Sequence, residues 1–184
     1  VVVGTHGRTG FTRLTMGSVA ERVTRRSPCS VLVTRPTSDT EGGYERILVP
    51  TDFSESSEHA LQLAIDMVAG DGAIDIAHYW QTAFAAYGYY SGYEPPEVYR
   101  KRNSTYVAKQ GDELMRKYKP QHDRMTFMQS ADAPVRGIFE QLDAQPYDLV
   151  AMGSHGRRGF RRWIMGSVAE STVRHAHCSV LVAR

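Results

Sequence analysis

Residues 1–35 recur as residues 150–184 at a constant offset of 149, and 21 of the 35 paired positions are identical. A repeat of that fidelity constrains the chain more than any local pattern does, because both copies must fold as the same unit. Each copy opens on an apolar run, passes through a glycine-studded loop and an amphipathic stretch, and closes on CSVLV. The unit therefore reads as strand, loop, helix, strand. The second copy ends a longer stretch, 44–184, that reads as a complete domain, whereas 1–35 reads as only the last part of another. Val1 already lies inside a strand-like run, so the sequence reads as entering its first copy part-way. Between the two, residues 36–43 (PTSDTEGG) are polar and carry Pro and Gly, as a linker does.

Residues 149–167 (LVAMGSHGRRGFRRWIMGS) show what the unit is built to do. The apolar run 149–152 suits a buried strand of a parallel sheet. Glycines follow at 153, 156, 159 and 166, and the first copy repeats them as Gly4, Gly7, Gly10 and Gly17, with Ser18 standing where Ser167 stands. From 167 to about 175 the pattern predicts a helix, with Ser167 as its cap and Glu170 three residues on, in capping-box spacing. A strand, a glycine-rich loop and a helix N-terminus together can receive a phosphate. Glycine lets backbone N–H groups approach the anion, and the helix start adds unpaired donors and a favourable dipole. The spacing G-x2-G-x9-G-S is neither the P-loop nor the dinucleotide fingerprint.

The remainder of 44–184 alternates. Strands are expected at 46–50, 73–80, 124–129 and 148–152, and helices at 55–69, 97–118 and 134–144, with an irregular tyrosine-bearing stretch at 81–93. With the last helix and strand this makes β-α-β-α-β-α-β-α-β. The fold class is α/β, a five-stranded parallel open sheet with helices on both faces, related to the Rossmann-like folds. Such sheets bind ligands at the carboxyl ends of their strands.

Composition is ordinary for a soluble globular protein, and the net charge of +2 does not call for a polyanionic partner. No apolar run approaches the ~20 residues that span a bilayer, and no leader pattern stands at the start. Cys29 and Cys178 beside the closing strands suit a reducing compartment. Arg157, Arg158, Arg161 and Arg162 could reach phosphate oxygens. With only Phe160 and Trp163 near them as stacking rings, nucleic acid is the weaker reading. His175, His177 and Cys178 run from a helix end into a strand, and Pro28 replaces the middle one in the first copy, which favours a structural role over a metal site.

The motifs LVPTDFS (48–54), AHY (77–79) and GSHGRRGFRRWIMGS (153–167) resemble the universal stress protein family. The glycine spacing is similar to that of the family's ATP-binding branch, here in tandem form with a truncated first repeat. That resemblance implies a cytoplasmic stress regulator that binds ATP, with or without magnesium. It places Pro50, Thr51 and Asp52 at the ribose and adenine, with Tyr79 lining the adenine through its backbone. Met152, Gly153, His155, Gly156, Arg157, Gly159, Gly166, Ser167 and Val168 form the rest of the site, with the glycine loop and Gly-Ser on the phosphates. Tyr79 departs from the small aliphatic residue usual in the family, and its ring either narrows the adenine pocket or stacks on the base. Asp52 alternatively serves as a turn or cap for the following helix, a task for which Ser54 competes better. No catalytic residue is assigned. A slow ATP hydrolase and a nucleotide-free interaction module are the rival functions. The resemblance also implies antiparallel pairing of exposed last strands, running from Ser30 to Val33 and from Ser179 to Val182, either within this chain as a pseudo-dimer or between copies.

Overall fold

The computed structural model describes residues 1–5, 16–35, 42–80, 96–155 and 165–184. Among these, seven strands form one sheet. Residues 44–184 contribute β3 (Tyr44–Pro50), β4 (Val68–Tyr79), β5 (Met125–Ser130), β6 (Leu149–Gly153) and β7 (Ser179–Ala183). Residues 1–35 add β1 (Val2–Gly4) and β2 (Val31–Thr34). The spatial order is β1-β2-β7-β6-β3-β4-β5, with every neighbouring pair parallel except β2 and β7. The sheet thus has seven strands rather than the expected five. The reason is that β2 lies antiparallel on β7, with Val31 opposite Val182, Leu32 opposite Leu181 and Val33 opposite Val180. β7 is therefore interior, and β1 and β5 form the edges.

Helices α1 (Ser18–Arg26), α4 (Pro134–Ala144) and α5 (Ser167–His175) pack on one face, where Val23, Ile138, Leu142, Ala169 and Val173 meet Val31, Val33, Val150, Val180 and Val182. Helices α2 (Glu55–Met67) and α3 (Pro96–Tyr118) cover the other face through Leu61, Ala64 and Tyr118, against Ile47, Val49, Ile74 and Ile76. Strand residues alternate between the two cores, and burying both faces accounts for the near-continuous apolar runs.

A buried polar cluster ties the central strands together. Arg46 Nε and Nη2 donate to Asp75 Oδ2 at 3.0 and 2.8 Å, Tyr147 Oη donates to the same oxygen at 2.7 Å, and Thr126 Oγ1 donates to Oδ1 at 2.5 Å. Burial works to raise the Asp75 carboxyl, but these hydrogen bonds outweigh it and hold the group below its usual range.

Two boundaries differ from expectation. α2 stops at Met67 and β4 begins at once at Val68, rather than at 69 and 73. Tyr44 pairs with Val68 across a register shift, and a Cβ at Gly72 would come within 2.8 Å of the Tyr44 carbonyl, so glycine lets this irregular strand start lie against β3. At α5 the cap is Gly166, extended at φ −64°, ψ 151°, and Ser167 is the first helical residue; no side chain caps the helix. The capping box fails because this register makes Ser167 the first helical residue and Glu170 the fourth, and the Glu170 carboxylate instead pairs with Arg25, 2.5 Å away across the β2–β7 junction. The irregular stretch 81–93 lies outside the described residues, apart from which β3, β5, α3 and α4 fall within two residues of expectation.

Candidate functional site

The strand order reverses between β3 and β6, and at such a switch point the two strand ends splay to leave a crevice. The first wall is the turn after β3. The Thr51 amide still bonds to the Ala77 carbonyl at 2.9 Å, which holds Thr51 at the end of the ladder. Its hydroxyl then accepts from the Phe53 amide at 3.0 Å and pairs with Ser57 Oγ at 3.1 Å. Asp52 Oδ1 accepts from both the amide and the hydroxyl of Ser54, at 3.1 and 2.5 Å. Ser54 is the N-cap of α2, so Asp52 braces the cap instead of being it. Phe53 sits at φ 60°, the one positive φ outside glycine among the described residues, and its ring stacks on His78 at 4.8 Å. His78 Nδ1 lies 2.7 Å from the Thr51 carbonyl and must donate to it. A backbone held in so sparsely populated a region is over-determined by its surroundings, which is common beside ligand sites.

The second wall is the end of β6. A Cβ on Gly153 would stand 2.6 Å from Ser56 Oγ and 2.9 Å from the Ser57 amide nitrogen, so only glycine lets β6 meet the start of α2. Ser154 is buried, with its amide on the Ala183 carbonyl at 2.9 Å and its own carbonyl receiving the Gly166 amide at 2.8 Å. The His155 carbonyl accepts from Ser56 Oγ at 2.7 Å, and His155 Nδ1 lies 2.8 Å from Ser154 Oγ. His155 Nε2 is buried with no hydrogen-bond partner among the described residues.

The third wall is the start of α5. With Gly166 as cap, the amides of Ser167, Val168 and Ala169 belong to the first turn, where no intrahelical acceptor exists. Together with the helix dipole they favour an anion. α4 closes the fourth side through Pro134 and Ile138.

The walls enclose a cavity of about 320 Å³, within the range of small-molecule sites. Ten residues singled out from the sequence line it: Pro50, Thr51, Asp52, Tyr79, Met152, Gly153, His155, Gly166, Ser167 and Val168. Gly156, Arg157 and Gly159, with the other loop arginines, lie outside the described residues. Five lining residues were not foreseen: Ser57, Pro134, Ile138, Ser154 and Ala169. Ser57, three residues after a serine cap, and Ser154, between two expected residues, carried a local signal. Pro134 and Ile138 carried none, since only the packing of α4 brings them in.

Tyr79 enters the cavity as a half-buried ring whose hydroxyl is buried without a partner among the described residues. Burial pushes its phenol well above the ordinary value, so the group is neutral. Among the described residues no three metal-ligating side chains gather, His175, His177 and Cys178 included, and no described helix is long and apolar enough to cross a membrane.

Comparison with known proteins fits this geometry. The model of the universal stress protein family matches residues 1–35 and 43–184, nearly the whole chain. The chain belongs to the universal stress protein family. Among curated relatives, universal stress protein MJ0531 of Methanocaldococcus jannaschii is 29% identical over 148 residues, covering 78% of this chain and 84% of its own length. Among solved structures, a universal stress protein of Archaeoglobus fulgidus aligns with all of this chain and 62% of its own, at 20% identity and a TM-score of 0.62. A universal stress protein solved in complex with cAMP aligns over 77% of this chain and 98% of its own, at 20% identity and a TM-score of 0.57. In this universal stress protein, both repeats of the closing unit fall inside the family match.

Proposed function

We propose that this universal stress protein binds ATP in the β3–β6 crevice and acts as a nucleotide-dependent regulator rather than as an enzyme. The observation that carries the reading is the convergence on one cavity of the Thr51-Asp52 turn, Tyr79, the Gly153–His155 strand end and the uncapped start of α5. Asp52 would accept hydrogen bonds from ribose hydroxyls or the adenine amino group. The first-turn amides of α5 and the orphaned His155 Nε2 are donors that fit phosphate oxygens. Magnesium arriving with the phosphates would keep mostly nucleotide oxygens and water as ligands. The relative solved with cAMP supports a nucleotide as the ligand class. In this reading, 1–35 is the end of a first domain and 44–184 a complete second one. The pairing of the two last strands within one chain would then stand in for self-association, since β7 is interior to the sheet.

Calorimetry with ATP and magnesium on the wild type and on Gly166→Val tests the reading. A Cβ at Gly166 meets only the Ser154 carbonyl, at 3.5 Å, so the variant should fold while crowding the cleft. Micromolar binding by the wild type, weakened at least tenfold in the variant, is expected. No binding to folded wild type would leave an interaction module, and steady release of ADP would turn the protein into a hydrolase.

A further inference from the structure

The ATP cleft is not the only hollow that Tyr79 borders. A second cavity, of about 290 Å³, lies among Met128, Gln129 and Ser130 of β5 and Gly137, Glu140 and Gln141 of α4. Tyr79 is the one residue that lines both. Its ring lies flat on α4, where a Cβ at Gly137 would come 2.2 Å from Cδ1 and 2.4 Å from Cε1. Glycine inside a helix is unfavourable, and here it makes room for the ring. The second cavity is also polar in an unusual way. The Tyr79 hydroxyl and Gln129 Oε1 are both buried without partners among the described residues, although Gln129 Nε2 donates to the Ser104 carbonyl at 3.1 Å. Buried polar groups are ordinarily satisfied, and these two belong to residues that line the chamber.

We infer that Tyr79 is a partition that sets the size of base the cleft accepts, closing it against a second chamber able to hold a substituent on that base. The inference rests on the nucleotide reading. With phosphates at the start of α5 and Asp52 on the ribose hydroxyls, the N6 edge of adenine is the end farthest from them and would face Tyr79. An unsubstituted purine fits in front of the ring, and a bulky N6 group collides with it. Removing the ring joins the chambers, and the substituent passes between α4 and β5. Tyr79 is a specificity residue here by shape, not by its hydroxyl.

The test compares ATP with N6-benzyl-ATP by calorimetry on the wild type, Tyr79→Phe, Tyr79→Ala, Gly137→Ala and the Gly137→Ala/Tyr79→Ala double variant. Wild type and Tyr79→Phe should bind N6-benzyl-ATP at least tenfold more weakly than ATP. Tyr79→Ala should bring the two within about threefold. Gly137→Ala, which lifts the ring off its seat, should weaken ATP binding in the wild-type background and leave it unchanged when Tyr79 is already Ala. Should Tyr79→Ala fail to fold, that coupling is replaced by Gly137→Ala against Tyr79→Leu, which retains bulk but not the plane. ATP binding with the same ligand ratio in wild type and ring-less variants would overturn the partition alone. No ATP binding to folded wild type would overturn the nucleotide reading and the partition with it.

Discussion

The two copies of the closing unit share most of their residues and, among the described residues, the geometry of their helix caps, yet only the second copy lines the cleft. Gly17 and Gly166 cap their helices at φ −65°, ψ 148° and φ −64°, ψ 151°, and each gives its amide to the equivalent carbonyl, of Thr5 at 2.9 Å and of Ser154 at 2.8 Å. Contacts across the β2–β7 junction are reciprocal. Arg35 donates to the Val173 and Arg174 carbonyls at the end of α5, and Arg184 donates to those of Thr24 and Arg25 at the end of α1. Arg25 pairs with Glu170 as Arg174 pairs with Glu21. The Arg35 amide bonds to Ser179 Oγ as the Arg184 amide bonds to Ser30 Oγ. Burial breaks the symmetry. Val2 is 69% exposed while its counterpart Ala151 is buried, because β6 has β3 beside it and β1 is an edge. Local structure follows from the unit's own residues, whereas the site follows from the strands placed next to it.

The sharpest way to strain this comparison is chemical. Cys29 and Cys178 occupy the same repeat position, but Cys29 is exposed and its pKa is lowered, mainly by a hydrogen bond from Ser27, whereas burial pushes the Cys178 thiol up to about 12. Since the exposed thiolate is the reactive form, alkylation at pH 8 followed by mass spectrometry should find Cys29 modified well before Cys178. Comparable rates would mean that the second copy opens as readily as the first.

The next effect is steric. Gly153→Val drives a side chain into Ser56 and the Ser57 amide, and should lower unfolding stability by about 3 kcal/mol. Gly4→Val, on the exposed edge strand, should change it by less than about 0.5 kcal/mol. Urea titrations of the two variants compare them directly.

The smallest effect sharpens the reciprocity. Arg35→Met and Arg184→Met each remove guanidinium caps from carbonyls of the other copy and should cost about 1 kcal/mol apiece. Hydrogen exchange should show the end of α5 fraying in the first variant and the end of α1 in the second. Fraying of a variant's own helix would refute the crossed arrangement.

Much of this was legible in the sequence, for identifiable reasons. The repeat and the alternation of apolar runs announced the parallel sheet, and three short motifs, with the two residues flanking the last of them, picked out ten residues that meet at one cavity. What could not be read depended on partners distant along the chain. Glu170 looks like half of a capping box until the cap falls on Gly166, and its carboxylate goes to Arg25 and Arg174. Pro134 and Ile138 have no motif, and nothing local announces that Gly137 meets the Tyr79 ring beside a second chamber. The pairing of β2 on β7, by contrast, was expected from the resemblance, and it is what widens the sheet beyond the five strands of 44–184.

Leu32 and Leu181 occupy the same repeat position, and each faces the other where β2 crosses β7. A residue opposite its own twin is a lock cut to its own shape. In a pairing of identical units, any change of size there is doubled, as two bulges or two holes. Covalent linkage in one chain lifts that restriction, since a knob at one leucine can be matched by a hollow at the other. The two halves can then be recoded to recognise each other and to reject every like-with-like pairing.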